Sequence, residues 1–191
     1  MPNIDIIIVN WNSGGQLEDC IKSILNSSDY KKYVNRIIIV DNGSIDGSMG
    51  FIDKIKSSLL KTVFNQENVG FGKACNIGAS YAGANSSHLL FLNPDTILFE
   101  DTLSSTIDDI VDKPKDIGIF GIRLLDENGS VSITCSKFPS LLNYTIQALG
   151  LLTLVPFLRK HSVHMTEFDH LKDREVDQVM GPVPRYPRKR M

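Results

Sequence analysis

Cysteine is scarce in this chain, with three in 191 residues, and Cys20, Cys75 and Cys135 stand far apart. An odd, scattered set argues against a disulfide framework or a zinc site and suits buried thiols in a reducing cytoplasm. Excess charge is also missing: 20 Lys and Arg stand against 22 Asp and Glu, for a formal net charge of −2. That leaves no footprint for nucleic acid. No basic region precedes the first apolar run, Ile4 to Val9, which is too short for a signal peptide. No stretch has the length and apolarity of a transmembrane helix; Leu141 to Leu158 comes nearest, and Asn143, Gln147 and Pro156 interrupt it. A Walker-type Gly-x-x-x-x-Gly-Lys-Ser/Thr and a Gly-x-Ser-x-Gly elbow are both absent, against a P-loop enzyme and an α/β-hydrolase. Gly70-Phe71-Gly72-Lys73-Ala74-Cys75 is a near miss to the dinucleotide fingerprint: Cys75 replaces its third small residue and the turn does not follow the first strand. His161 and His164, with His170 beyond, lack a carboxylate pattern and read as part of a solvated basic face.

What is present is an ordinary globular composition, 42% hydrophobic and 22% charged, in a chain long enough to bury a sizeable core. Apolar runs at Ile4 to Val9, Arg36 to Val40, Lys61 to Asn65, Leu89 to Leu92 and Ile117 to Ile122 read as strands. The run at Leu89 to Leu92 has the continuous apolarity of a strand covered on both faces. Helical spacing predicts helices carrying Leu17 to Leu25, Ile52 to Leu59, Ala74 to Ala82 and Leu103 to Val111, the first opened by a Ser13/Gln16 capping box. Asn26 to Lys32 reads as a polar loop, and Asp126 to Gly129 as a hairpin turn leading to Val131 and Ile133. Alternating strands and helices predict an α/β fold, a mostly parallel sheet flanked by helices. Leu141 to Leu158 predicts a core or lid helix pair, with a membrane-surface segment as the alternative.

Three polar clusters fall at strand ends: Asn10-Trp11-Asn12, Asp41-Asn42 and Asn93-Pro94-Asp95. Singly, each is an ordinary turn or helix-capping sequence. In a parallel sheet these ends share one edge, so together they converge on one crevice suited to a nucleotide diphosphate. Glycines after Asp41 and Asn68 let backbone approach a ligand closely. Pro94 stops the ladder and presents Asp95 at the carboxyl end of its strand. A lone hard carboxylate there suits Mg²⁺ or Mn²⁺ shared with a diphosphate, since such ions take few protein ligands.

Ile7-Ile8-Val9-Asn10-Trp11-Asn12, Val40-Asp41-Asn42-Gly43-Ser44-Ile45-Asp46-Gly47-Ser48, Asn68-Val69-Gly70-Phe71-Gly72-Lys73-Ala74-Cys75-Asn76 and Leu92-Asn93-Pro94-Asp95 together resemble the family 2 glycosyltransferases. Within them the chain looks like the rhamnosyltransferase branch that builds O-antigen and other bacterial surface polysaccharide. The resemblance spans roughly Asn3 to Gly181 and implies a Rossmann-like GT-A fold and inverting transfer from a nucleotide sugar, dTDP-L-rhamnose or another NDP-hexose. The implied acceptor is a lipid-linked saccharide at the inner membrane face, reached by a cytoplasmic protein with peripheral membrane contact. Carried over, Asn10, Trp11 and Asn12 would line the base and ribose pocket, and Asp41, followed by Asn42, would accept from a pyrimidine N3–H. Asn68 and Gly70 would flank the nucleotide and donor sugar, Asn93 would meet a ribose hydroxyl, and Asp95 would hold the metal. Asn93 departs from the family's Asp-x-Asp and brings no charge to the metal.

The implied organisation is a nucleotide-sugar-binding half over 1–125, the start of an acceptor side over 126–181, and an aberrant tail over 182–191. That tail holds three prolines and four basic residues in ten positions, which no central strand accommodates. The family's catalytic base is expected beyond Gly181, where no Asp or Glu stands. The expectation is therefore a truncated chain, its fold incomplete at the C-terminal end and inactive in transfer, with a non-catalytic nucleotide-binding fragment as the rival.

Overall fold

The structure is a computed structural model that describes residues 3–112, 117–150, 162, 163, 165, 168 and 172–179. These fall into two compact units, divided between Lys115 and Asp116. In the first unit the chain runs β1 (Ile4–Asn10), α1 (Gln16–Asn26), α2 (Tyr30–Tyr33), β2 (Val34–Asp41), β3 (Leu60–Phe64), α3 (Phe71–Ser80), β4 (His88–Leu92) and α4 (Thr102–Asp112). The strands form one parallel sheet in the order β3-β2-β1-β4. Parallel pairing requires crossovers, and α1 and α3 supply the helical ones.

β1 is buried along its whole length, and its side chains divide by parity. Ile4, Ile6 and Ile8 pack with Ile37 and Ile39 against Leu17, Ile21 and Ile24 of α1 and Leu103 and Ile107 of α4. Ile7 and Val9 pack with Ile38 and Val40 against Ala74 of α3 on the other face. Each such side chain contributes about 1.5–3 kcal/mol on burial, so this double-sided run is the main anchor of the unit. α3 lies close because its inner face is small. A Cβ at Gly78 would stand 2.5 Å from a methyl of Ile7 and 3.1 Å from one of Val40.

Several sequence expectations are corrected. β4 is an edge strand whose Leu89 and Phe91 are 41% and 43% exposed, because their face is not covered as β1 is. The helix expected over Ile52 to Leu59 is one 3₁₀ turn, Ile52–Lys54; Ser57 Oγ accepts from Leu59 N–H, offering the backbone a rival to helix. The Ser13/Gln16 capping box does not form: α1 starts after Gly15, and the Ser13 hydroxyl donates to Asn10 Oδ1 instead. The loop expected at Asn26 to Lys32 includes the start of α2, which buries Tyr33.

The second unit contains β5 (Cys135–Ser136), α5 (Leu141–Ala148) and β6 (Gln178–Val179), with β5 and β6 antiparallel. Ile117 to Ile122 is not a strand: its backbone joins no ladder among the described residues, and Ile119 is exposed. Gly118 and Gly121 within it lower strand propensity. The turn at Asp126 to Gly129 forms, closed by Gly129 N–H to Asp126 O at 2.9 Å, but pairing stops at one bridge, Leu125 to Val131. Only the first part of Leu141 to Leu158 is described, as α5. His161, His164, His170 and the tail from Pro182 lie outside the described residues. Among the described residues no helix is long and apolar enough to cross a membrane.

Candidate functional site

Because the sheet is parallel, the carboxyl ends of β1, β2 and β4 open on one edge. A cleft of about 250 Å³ lies there, lined by Val9, Trp11, Asn42, Asn68, Phe71, Asn93, Pro94 and Asp95. The structure thus brings Trp11, Asn42, Asn68, Asn93 and Asp95 together on the wall. Asn10, Asn12, Asp41 and Gly70 are not among the lining residues and stand behind or beside it.

Asn10 and Asp41 are opposed in the β1–β2 register and both buried. Asn10 Nδ2 lies 2.8 Å from Asp41 Oδ1, 2.8 Å from Ser48 Oγ and 3.0 Å from Ser44 Oγ. Asp41 Oδ2 accepts from Ser44 N–H at 3.2 Å, so the carboxylate is held by protein donors on both oxygens. Asn42 Nδ2 donates to Asn68 Oδ1 at 2.8 Å, while Asn42 Oδ1 accepts from Val69 N–H and Asn65 Nδ2, each at 3.1 Å. This ties the end of β2 to the turn that opens α3. Gly70, at φ 86°, caps that helix in a conformation open to glycine. Gly43, at φ 77°, is tighter still: a Cβ there would meet the Glu67 backbone at 2.9 Å.

Beyond the sheet, Asn12 takes a left-handed backbone at φ 51° and accepts from Ile45 N–H through Oδ1 at 2.9 Å. Asp46 accepts from Gly14 N–H at 2.8 Å and Ser48 N–H at 2.9 Å, and hydrogen bonding, from Ser48 first, holds its carboxyl below the usual range.

Asp95 differs from all of these. Its Oδ1 is buried with no hydrogen-bond partner, as is the Oγ1 of Thr96 beside it. Burial raises the Asp95 pKa above the ordinary carboxylate value. Beneath the turn lies Cys20 of α1, its thiol 3.6 Å from Asn93 O and pushed up to about 12 by burial, with the Asp95 charge adding to that. Among the described residues no three His, Cys, Asp or Glu side chains cluster as a metal cage. Among the described residues Asp95 is the only charged side chain on the cleft wall.

Val9 and Phe71 line the cleft without having been expected there. Phe71 was discoverable: it is the one large aromatic at the start of an otherwise small-faced helix, and it is 59% exposed.

The model of glycosyl transferase family 2 matches residues 5–163. The chain belongs to glycosyl transferase family 2. Among relatives, the minor teichoic acid biosynthesis protein GgaA of Bacillus subtilis (strain 168) is 31% identical over 105 residues, 54% of this chain and 24% of that protein. The structure of S. aureus TarS in complex with UDP-GlcNAc superposes with a TM-score of 0.52 at 22% identity, over 63% of this chain and 36% of that one. The mannosyltransferase PcManGT of Pyrobaculum calidifontis, in complex with GDP-Man and Mn²⁺, gives 0.52 at 18% identity, over 58% and 33%. The chain thus spans about a quarter of the curated relative and a third or slightly more of these solved structures. The family and these folds agree with the parallel, helix-flanked sheet described above, a GT-A-like α/β fold.

Proposed function

We propose that the cleft binds a nucleoside-diphosphate sugar with a divalent cation held on Asp95, as the donor side of an inverting glycosyltransferase that builds a bacterial surface polymer. The observation that carries this is the buried, partnerless Oδ1 of Asp95 on a wall otherwise made of amides and apolar groups. A lone carboxylate repels a diphosphate unless a cation lies between them. Mg²⁺ or Mn²⁺ accepts one protein oxygen and fills its shell with water and phosphate oxygens. When bound, such an ion would stabilise the charge that develops on the leaving diphosphate. Asn42, Asn68 and Asn93 offer hydrogen bonds to the nucleotide and sugar, and Trp11, Val9 and Phe71 supply flat apolar surface.

The motif resemblance supports dTDP-L-rhamnose as donor and a lipid-linked saccharide, met at the cytoplasmic membrane face, as acceptor. A UDP-sugar is the second reading, supported by the UDP-GlcNAc complex of TarS. The acceptor-side region over 126–181 belongs to the same proposal, with the general base expected beyond Gly181.

Calorimetry on the folded protein tests it with dTDP, UDP, dTDP-L-rhamnose and UDP-GlcNAc, in Mn²⁺ or in EDTA. Binding that needs the cation is expected. Asp95→Asn should then weaken it by about 10- to 150-fold, the worth of a charge-assisted contact, and change little in EDTA. Equal loss in both buffers would make Asp95 a direct or structural contact. A folded sample that binds none of these ligands would overturn the assignment.

A further inference from the structure

We infer that Ser44 is a positioning residue for the cleft: its hydroxyl pins the residues on both sides of Trp11 and so fixes where the indole stands. The binding part of this inference rests on the nucleotide-binding reading above; the part about the indole does not.

Trp11 is the sole tryptophan. It is 57% exposed on the cleft wall and lies outside both buried clusters. The sheet does not hold it, because the β1–β2 register ends at Asn10 and Asp41. Placement must come from its neighbours, and Ser44 Oγ reaches both: it accepts from Asn10 Nδ2 at 3.0 Å and from Asn12 N–H at 3.0 Å. One hydroxyl thus clamps the residue before the indole and the residue after it. Asn12 sits at φ 51°, a left-handed conformation that an Asn adopts when local hydrogen bonds hold it. The Ser44 bond and the Ile45 N–H to Asn12 Oδ1 bond at 2.9 Å are those bonds. The Asp46 carboxylate adds a third fastening at Gly14 N–H, 2.8 Å away. The loop after β2 is therefore a clasp on the loop after β1, and Ser44 is its one member touching both flanks of Trp11. Ser44 itself does not line the cleft.

The test uses the full chain without ligand first. Ser44→Ala should make Trp11 emission more quenchable by acrylamide while the melting temperature falls only slightly, since the loop is at the surface. Ser44→Thr keeps the hydroxyl and should restore the wild-type quenching. Titrated with dTDP and Mn²⁺, Ser44→Ala should bind about three- to tenfold more weakly, the worth of one neutral hydrogen bond. Wild-type quenching in Ser44→Ala overturns the role assigned to Ser44. Quenching changed with dTDP affinity unchanged overturns its role in binding. If Ser44→Ala fails to fold, Asn12→Gly is read instead. It suits the positive φ and deletes the Oδ1 that Ile45 holds, so unchanged quenching there also overturns the clasp. If the wild type binds no nucleotide, the functional reading fails, while the ligand-free quenching still decides what Ser44 does.

Discussion

On the side of the cleft built by the ends of β1 and β2, Asn10, Asp41 and Asn42 are buried and bonded to one another's loops. On the side built by the end of β4, Asp95 Oδ1 and Thr96 Oγ1 are buried with no partner at all. The first side is assembled by folding and presents finished walls. The second carries polar groups whose desolvation is uncompensated until something binds. A site organised this way fixes the position of the organic part of a ligand and leaves the charged part to be completed by it.

The largest effect should come from breaking the finished side. Asn10→Leu removes the donor to Asp41 Oδ1 and leaves a buried carboxylate with Ser44 N–H at 3.2 Å as its remaining named partner. Stability should fall by about 3 kcal/mol, read as a lower urea midpoint at unchanged slope. A loss under about 1 kcal/mol would mean that water reaches Asp41 and that the side is not preassembled.

A smaller loss is expected at Gly43, where φ is 77° and an added Cβ meets Glu67 backbone at 2.9 Å. Gly43→Ala should cost about 2–3 kcal/mol. Gly47→Ala, at φ 75° with nothing within 4 Å, should cost only the backbone preference, about 1 kcal/mol. The difference between the two urea midpoints isolates the contact between the β2 loop and the turn before α3. Equal losses would show that the two segments are not in contact.

How much of this was legible in the sequence follows from the range of the forces involved. β1 and β2 announce themselves because Ile6, Ile8, Ile37 and Ile39 are buried in both the sequence pattern and the fold, and a strand covered on both faces has to be uniformly apolar. The same rule misreads β4: Leu89 and Phe91 are apolar without being covered, and no local signal distinguishes an edge strand from a central one. Parallel topology also carried the convergence of Trp11, Asn42, Asn68, Asn93 and Asp95, since strand ends of one sheet share an edge. The sequence did not reveal that Asp41 is engaged by Asn10 and Ser44, a pairing set by register across two strands. Nor did it reveal that Ser13 serves Asn10 rather than its own helix, because the capping pattern is local and the competing partner is not.

The smallest effect, and the one that tests the open side, is on stability at Asp95. Burial raises its folded pKa above 3.8. In the unfolded chain the carboxyl ionises near about 3.9. Between those values the folded state binds the proton more tightly, so the ionised form costs stability above the folded pKa. That cost is relieved as pH falls through this window and is absent below both values. The amide that Asp95→Asn introduces cannot titrate. In cation-free buffer that variant should therefore be slightly more stable than the wild type at neutral pH, and the two should converge as the pH drops toward about 4. The group is half-exposed and screened by solvent, which keeps the gain below about 1 kcal/mol. Adding Mn²⁺ with dTDP should raise the melting temperature of the wild type more than that of the variant, because only the wild type gains binding energy in the folded state from the carboxylate. A variant less stable than the wild type at neutral pH without cation would mean that Asp95 Oδ1 has a protein partner in solution. The two sides of the cleft would then be alike, and the case for a cation between Asp95 and the diphosphate would go with the difference.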